Sequence, residues 1–185
     1  MIIKEYSLSG QKVILRTIEE SDVKHIMDYW YDRDNDQFQF DGAELKYFPP
    51  REKLEAKYIS EIRSKTKDMP QEKLVIDLNS EPVGTIYIKN VNGAQADVHL
   101  HIWKKQHRRL GVATTIIKEA FLYFTKNFGI QKYILEPVKD NKPINKFLES
   151  LNLKPDKTYL KTTEYGTYLA NQYVVDIEST NVTNG

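Results

Sequence analysis

The sequence predicts a mixed α/β domain, and three observations carry that prediction. Alternating, strand-like runs are interleaved with stretches whose apolar residues recur at three- and four-residue steps. A strand-like run at 96–103 leads through a glycine-bearing turn into a long amphipathic helix. The 185-residue length is most simply one domain. The expected architecture is a central mixed sheet of about six to seven strands flanked by about four helices. The domain is expected to span 1–178, with the polar stretch 179–185 as a frayed tail.

The elements follow in order. Residues 12–16 (KVILR) read as a short strand, and Glu19-Glu20-Ser21-Asp22 opens a helix carrying Val23, Ile26, Met27, Trp30 and Tyr31 on one face. Residues 32–50 are irregular, acidic and aromatic. Pro50 opens a second helix with Leu54, Tyr58, Ile59 and Ile62 on one side and Pro70 beyond its end. Residues 73–78 and 83–89 form a strand pair around the turn formers Asn79-Ser80-Glu81-Pro82, and Asn92-Gly93 turns the chain into the next strand. The long helix after Gly111 bears Ala113, Ile116, Ile117, Ala120, Phe121 and Phe124, with Gly129 as its C-cap. A short buried strand at 133–135, a helix at 143–151 and strands at 159–163 and 168–177 complete the order.

Composition excludes several classes of function. Lys and Arg number 27 against 26 Asp and Glu, a net charge of +1, so no bulk field draws the chain to nucleic acid or membrane. The sequence has no cysteine, hence no disulfide framework, thiolate nucleophile or zinc–thiolate site, and no metal is expected. That usage fits a reducing cytoplasm, where the chain is expected to reside. No run approaches the ~20 apolar residues of a membrane span, and the N-terminal residues lack the apolar core of a signal peptide.

Arg108-Arg109-Leu110-Gly111-Val112-Ala113 is the most informative segment. Backbone N–H groups at a helix N-terminus have no intrahelical partner, and the helix dipole makes that end positive. Gly111 admits a ligand close to the backbone, and two arginines add full charge. An anion such as a pyrophosphate suits the place.

With that R-x-x-G-x-A pattern, the order of elements over about 12–177 resembles the GNAT superfamily of acyl-CoA-dependent N-acyltransferases. A second segment, Glu136-Pro137-Val138-Lys139-Asp140-Asn141, looks like the E/D-P-x-x-x-N of the branch holding aminoglycoside 6′-N-acetyltransferases and the siderophore acyltransferases of N6-hydroxylysine. His99-Leu100-His101-Ile102 is similar to the H-L-x-I of the siderophore enzymes. The resemblance implies acetyl-CoA as cosubstrate, its pyrophosphate on the amides of Arg108, Arg109, Leu110, Gly111, Val112 and Ala113. It also implies its pantetheine along Ile102, Trp103 and Lys104, with Asn141 and Lys146 contributing. The chain departs from the pattern at Val138, at Trp103 and Lys104, at Leu148 where many members carry a Tyr acid, at Ile144, and at Asn152-Leu153 in place of Gly-Phe.

Amine acylation needs a neutral amine, and a lysine-like amine with pKa ~10.4 is neutral only about once in 10³ at pH 7. A base in the cleft removes that handicap. Strand alternation sets Asp97, His99 and His101 on one face, with Val98, Leu100 and Ile102 on the other. His99 and Asp97 are the candidate catalytic pair; a structural His and a salt-bridged Asp are the plain alternatives. Asp28, Asp32, Asp34, Asp36 and Asp41 lie among Trp30, Tyr31, Phe38 and Phe40, a composition suited to a cationic amine. A solvated acidic loop explains it equally. Glu136 is the single strongest candidate for gripping an ammonium or hydroxyl. Ser150 and Tyr159 are open options for the acid.

The expected activity is therefore acetyl transfer to a primary amine or hydroxylamine of a small cationic acceptor, by direct attack in a ternary complex. Acetylation of a protein N-terminus or lysine, and a non-catalytic acyl-CoA-binding module, stand as alternatives. A homodimer is left open.

Overall fold

The computed structural model describes residues 1–32, 39–64 and 72–177. Eight strands form one sheet: β1 (Ile2–Leu8), β2 (Gln11–Thr17), β3 (Glu72–Leu78), β4 (Glu81–Asn92), β5 (Gln95–Ile102), β6 (Lys132–Leu135), β7 (Lys157–Thr163) and β8 (Gly166–Asp176). Four helices accompany them: α1 (Val23–Tyr31), α2 (Arg51–Arg63), α3 (Val112–Phe128) and α4 (Lys142–Ser150). The strands lie in the order β1-β2-β3-β4-β5-β6-β8-β7. The β5–β6 pair is parallel, and the other neighbouring pairs are antiparallel. A parallel pair needs a crossover, and α3 supplies it.

Each face of the sheet has its own core. On one, Val13, Leu15, Leu74, Ile76, Ile86, Val98 and Tyr133 pack with Ile116, Ala120 and Phe124 of α3 and Leu148 of α4. On the other, Ile18 and Val75 pack with Val23, Ile26 and Met27 of α1 and Leu54 of α2. The second face also buries an ion network. Arg16 donates twice to Asp22, at 2.7 Å each, and twice to Asp77, at 2.7 and 3.1 Å. Both carboxylates are buried, so the guanidinium fork is what makes their burial tolerable.

The sheet exceeds the expected count by β1. This strand lies at an edge and buries no residue fully, so it lacks the apolar–polar alternation by which strands are read. The proposed tail 179–185 lies outside the described residues, as do Asp34, Asp36, Phe38 and Pro70. Among the described residues, no helix is long and apolar enough to cross a membrane.

Candidate active site

The site begins where two strands part. The β5–β6 ladder runs through Gln95↔Lys132, Ala96↔Tyr133 and Asp97↔Ile134 and stops there. Strand β5 continues to Ile102, still paired with β4 as far as Gly84↔Ile102. The chain after β6 turns instead towards β8, through a bridge between Val138 and Ala170. Residues 98–102 thus keep a strand on one side and present a peptide edge on the other, a surface that can hydrogen-bond an extended amide-bearing ligand.

At the far end of β5 the chain makes the turn that the sequence singles out. Arg108 Nε donates to the Ile102 carbonyl at 3.0 Å, tying the turn back to the strand. Arg109 has φ 63° and Gly111 has φ 80° and ψ −4°, both left-handed. Gly111 is the N-cap of α3 and offers no side-chain cap. The helix ladder begins with Thr115 N–H donating to the Gly111 carbonyl at 3.0 Å. The amides of Val112, Ala113 and Thr114 therefore precede the ladder and point out of the helix end. Ideal Cβ placement at Gly111 meets only Leu8 methyls, at 3.5 and 3.8 Å, so the glycine is required by its φ rather than by crowding from the protein. Uncapped amides, a cationic turn and an open strand edge fit a diphosphate with an amide-bearing arm.

The other residues matched to the cofactor take varied places. Leu110 and Lys146 are exposed, Val112 is buried, and Ala113 is half-buried. Trp103 N–H donates to the Val83 carbonyl at 2.9 Å, and its ring stacks on His25 with centroids 6.0 Å apart. Lys104 Nζ is 2.6 Å from Glu81. Asn141 caps α4, its Oδ1 accepting from the Ile144 N–H, while its Nδ2 donates to the Phe40 carbonyl at 2.6 Å.

Asp97 and His99 line a cleft of about 790 Å³ on the face opposite α3, together with Lys89, Ile134, Glu136, Tyr159, Lys161 and Tyr168. The alternation read from the sequence holds here, since Ala96 and Val98 are buried on the α3 side. The His99 ring stacks on Tyr87, with centroids 4.9 Å apart and planes at 9°. Its Nε2 is buried without a hydrogen-bond partner. Burial, then the charges of Lys89, His101, Lys161 and Lys73, push the imidazole well below its ordinary pKa, so it is neutral at physiological pH. Asp97 accepts from Asn90 Nδ2 at 2.8 Å. His101 lies further along β5, outside the cleft lining. Tyr29 donates its hydroxyl to Asp41 at 2.8 Å, so its oxygen, 3.2 Å from His101 Nδ1, accepts from that nitrogen.

The carboxylates assigned to the acceptor hold groups of the chain's own. Glu136 lines the cleft, but its oxygens accept from Tyr159, Lys161 and Gln172, the last at 2.7 Å. Burial works to raise its pKa; these donors outweigh burial and hold the carboxyl below its ordinary range. Asp32 pairs with Arg51 at 2.9 Å, and Asp28 pairs with the same guanidinium at 2.5 Å, so both tie α1 to α2. Trp30 packs against Tyr29, Phe48 and His101. Of the two open options for the acid, the Tyr159 hydroxyl donates a hydrogen bond to Glu136, and Ser150 donates to the Phe147 carbonyl at 2.6 Å.

Sequence reasoning missed three residues. Lys89 shares the Asp97 face of the sheet through the Lys89↔Asp97 register, which the alternation of β4 could have shown. Lys161 anchors Glu136 from β7, a pairing with no local signal. Asn145 is buried in α4; its Nδ2 donates to the carbonyls of Val138, Lys139 and Asn141, and its Oδ1 accepts from Asn171 and Tyr173. A polar residue inside the apolar stripe Ile144, Leu148, Leu151 was its signal. It holds in place the very segment, 136–141, that the sequence marked.

No curated protein matches the chain significantly in sequence. Solved structures match its fold. RimL, a ribosomal L7/L12 alpha-N-protein acetyltransferase in complex with coenzyme A, superposes with TM-score 0.75 at 13% identity, covering 97% of this chain and 100% of that one. Spermidine N-acetyltransferase from Vibrio cholerae, in complex with CoA and spermine, gives TM-score 0.73 at 19% identity, with 93% and 98% covered. RimJ of Mycobacterium smegmatis, in complex with CoA-disulfide, gives 0.77 at 15%, with 97% and 88% covered. At these identities the likeness is one of fold. The family model described as an acetyltransferase (GNAT) domain matches residues 12–154. The chain therefore belongs to the GNAT family and is an acetyltransferase with acetyl-CoA as its acyl donor.

Proposed function

We propose that the chain transfers an acetyl group to the primary amine of a small acceptor held in the cleft over Asp97 and His99. The observation that carries this is the parting of β5 from β6 at Asp97↔Ile134. An open peptide edge lies beside the glycine-capped helix, and a neutral imidazole lines the cleft. The residues of the 108–113 turn would bind the pyrophosphate, and the edge at 98–102 would align the pantetheine arm. Acetyl-CoA, when bound, supplies a thioester carbonyl open to attack by an amine.

His99 is the proposed base. Burial first, and then the ammonium groups of Lys89, Lys161 and Lys73, keep it neutral, and these ammonium groups also act on an incoming ammonium. They lower the amine pKa and enlarge the small neutral fraction. As the amide C–N bond forms and the C–S bond breaks, the amine proton passes to the imidazole, directly or through water, and the thiolate leaves. No cysteine exists to carry the acetyl group, so attack is direct. Glu136 orients Lys161, and Asp97 is held by the Asn90 amide. The cationic character of the expected acceptor lacks support in the assigned carboxylates Asp32, Asp41 and Glu136, each of which has an internal donor. The branch assignment to aminoglycoside or siderophore enzymes likewise has the family alone behind it.

The test is thiol release from acetyl-CoA with aminoglycosides, polyamines, hydroxylysine, amino acids and short peptides. His99→Gln should lower kcat on the best acceptor by about 10²–10⁴-fold and leave acetyl-CoA affinity unchanged. Bound acetyl-CoA with no turnover on any amine would defeat the proposal.

A further inference from the structure

Among the described residues, the cleft holds a half-buried cation with no ion-paired carboxylate, whereas its other unpaired lysines, Lys132 and Lys157, are exposed. Lys89 lines it and is half-buried, yet its Nζ enters no hydrogen bond or ion pair. Asp97 and Glu164 act on Lys89 only through space, without an ion pair, and the cleft's other inner carboxylate is committed elsewhere. Asp97, opposite Lys89 in the ladder, accepts from Asn90, and Glu136 is saturated by Lys161, Tyr159 and Gln172. A partly buried ammonium left without an anion costs free energy, and an anion that arrives with a ligand recovers it.

Register places that cation relative to the base. His99 stands opposite Tyr87, and Lys89 is two residues further along β4 on the same face. Such diagonal neighbours lie roughly 7–8 Å apart. An amine presented to His99 and an anionic group on Lys89 would then be bridged by a short chain.

Resting on the acetyl-transfer reading above, we infer that the acceptor is a small zwitterion: an amine acid whose carboxylate is bound by Lys89 while its amine meets His99. Burial and the nearby Lys161 hold the Lys89 pKa below its ordinary value, as an unmatched cation requires. A polyamine brings no anion for Lys89.

The experiment compares kcat/KM for matched acceptors with and without the carboxylate: glycine and glycinamide, β-alanine and its amide, γ-aminobutyrate and its amide, lysine and cadaverine. Spermidine and a short peptide with a blocked C-terminus complete the panel. At least one acid should exceed its neutral partner tenfold or more. Lys89→Met should abolish that advantage by slowing the acid at least tenfold more than its amide partner, leave the acetyl-CoA Kd unchanged, and be partly rescued by Lys89→Arg. The inference is overturned if amides, spermidine or the peptide are the better acceptors. It is also overturned if Lys89→Met slows both members of a pair equally or weakens acetyl-CoA binding. Absence of turnover on the whole panel overturns the transfer reading itself, an outcome distinct from turnover without acid preference.

Discussion

The two ends of α3 provide a matched experiment. Gly111 at its start has φ 80° and ψ −4°, and Gly129 at its end has φ 68° and ψ 18°. Alanine in the left-handed region costs ~1–2 kcal/mol. No clash adds to this. A Cβ on Gly111 meets Leu8 at 3.5 Å, an ordinary contact, and one on Gly129 meets nothing within 4 Å. For a chain of this size each kcal/mol is worth roughly 2–4 °C in Tm, so Gly111→Ala and Gly129→Ala should each lower Tm by about 2–8 °C. Their effects on the cosubstrate should differ. Gly111→Ala strains the φ 80° turn that presents the amides preceding the helix ladder, where a phosphate must approach. A loss of at least ~1.4 kcal/mol, or tenfold in Kd, is expected there and none for Gly129→Ala. Thermal unfolding gives the first quantity and calorimetric titration with acetyl-CoA the second. Equal acetyl-CoA affinity in the two variants would refute the assignment of the 108–113 turn, whatever their stabilities.

Two further outcomes follow from the geometry. Arg16→Met strands the buried carboxylates of Asp22 and Asp77 and should cost ~3–5 kcal/mol in chemical denaturation. Adding Asp22→Asn and Asp77→Asn should recover much of that loss, and a single-variant cost below ~1 kcal/mol would show the network to be slack. The second concerns pH. His99 has a folded pKa depressed below its unfolded value, chiefly by burial and then by Lys89 and its other cationic neighbours. Unfolding therefore takes up a proton as pH falls below about 6.5, and His99 makes the fold less stable through that window until its folded pKa is reached. His99→Gln should flatten the Tm decline between pH 7 and 5 relative to the parent; identical slopes would show the ring to be as easily charged in the fold as out of it.

Periodicity and local chemistry were enough for much of this molecule. The alternation Asp97, His99, His101 against Val98, Leu100, Ile102 assigned the faces of β5 correctly, because a period of two is a property of the strand alone. The stripe on α3 and its glycine caps were legible for the same reason: caps and faces are set within a few residues. Edge strand β1 was not, since its inward residues Ile3, Tyr6 and Leu8 are only partly buried and a register shift near Ile2 and Lys4 breaks their alternation. The acidic stretch did not show its own pairing. Asp28 and Asp32 look available in sequence, and Arg51, some twenty residues on, takes both.

What the sequence determined by itself is therefore the order of elements, the phosphate-suited turn at 108–113, and the family they indicate, since each depends on neighbours in the chain. Tertiary structure alone decided which charges remain unspent. Glu136 is neutralised from β7 and β8, and Lys89 is left unmatched on β4. Charge pairing depends on distances across strands far apart in sequence, where the Coulomb term and the loss of hydration are settled together.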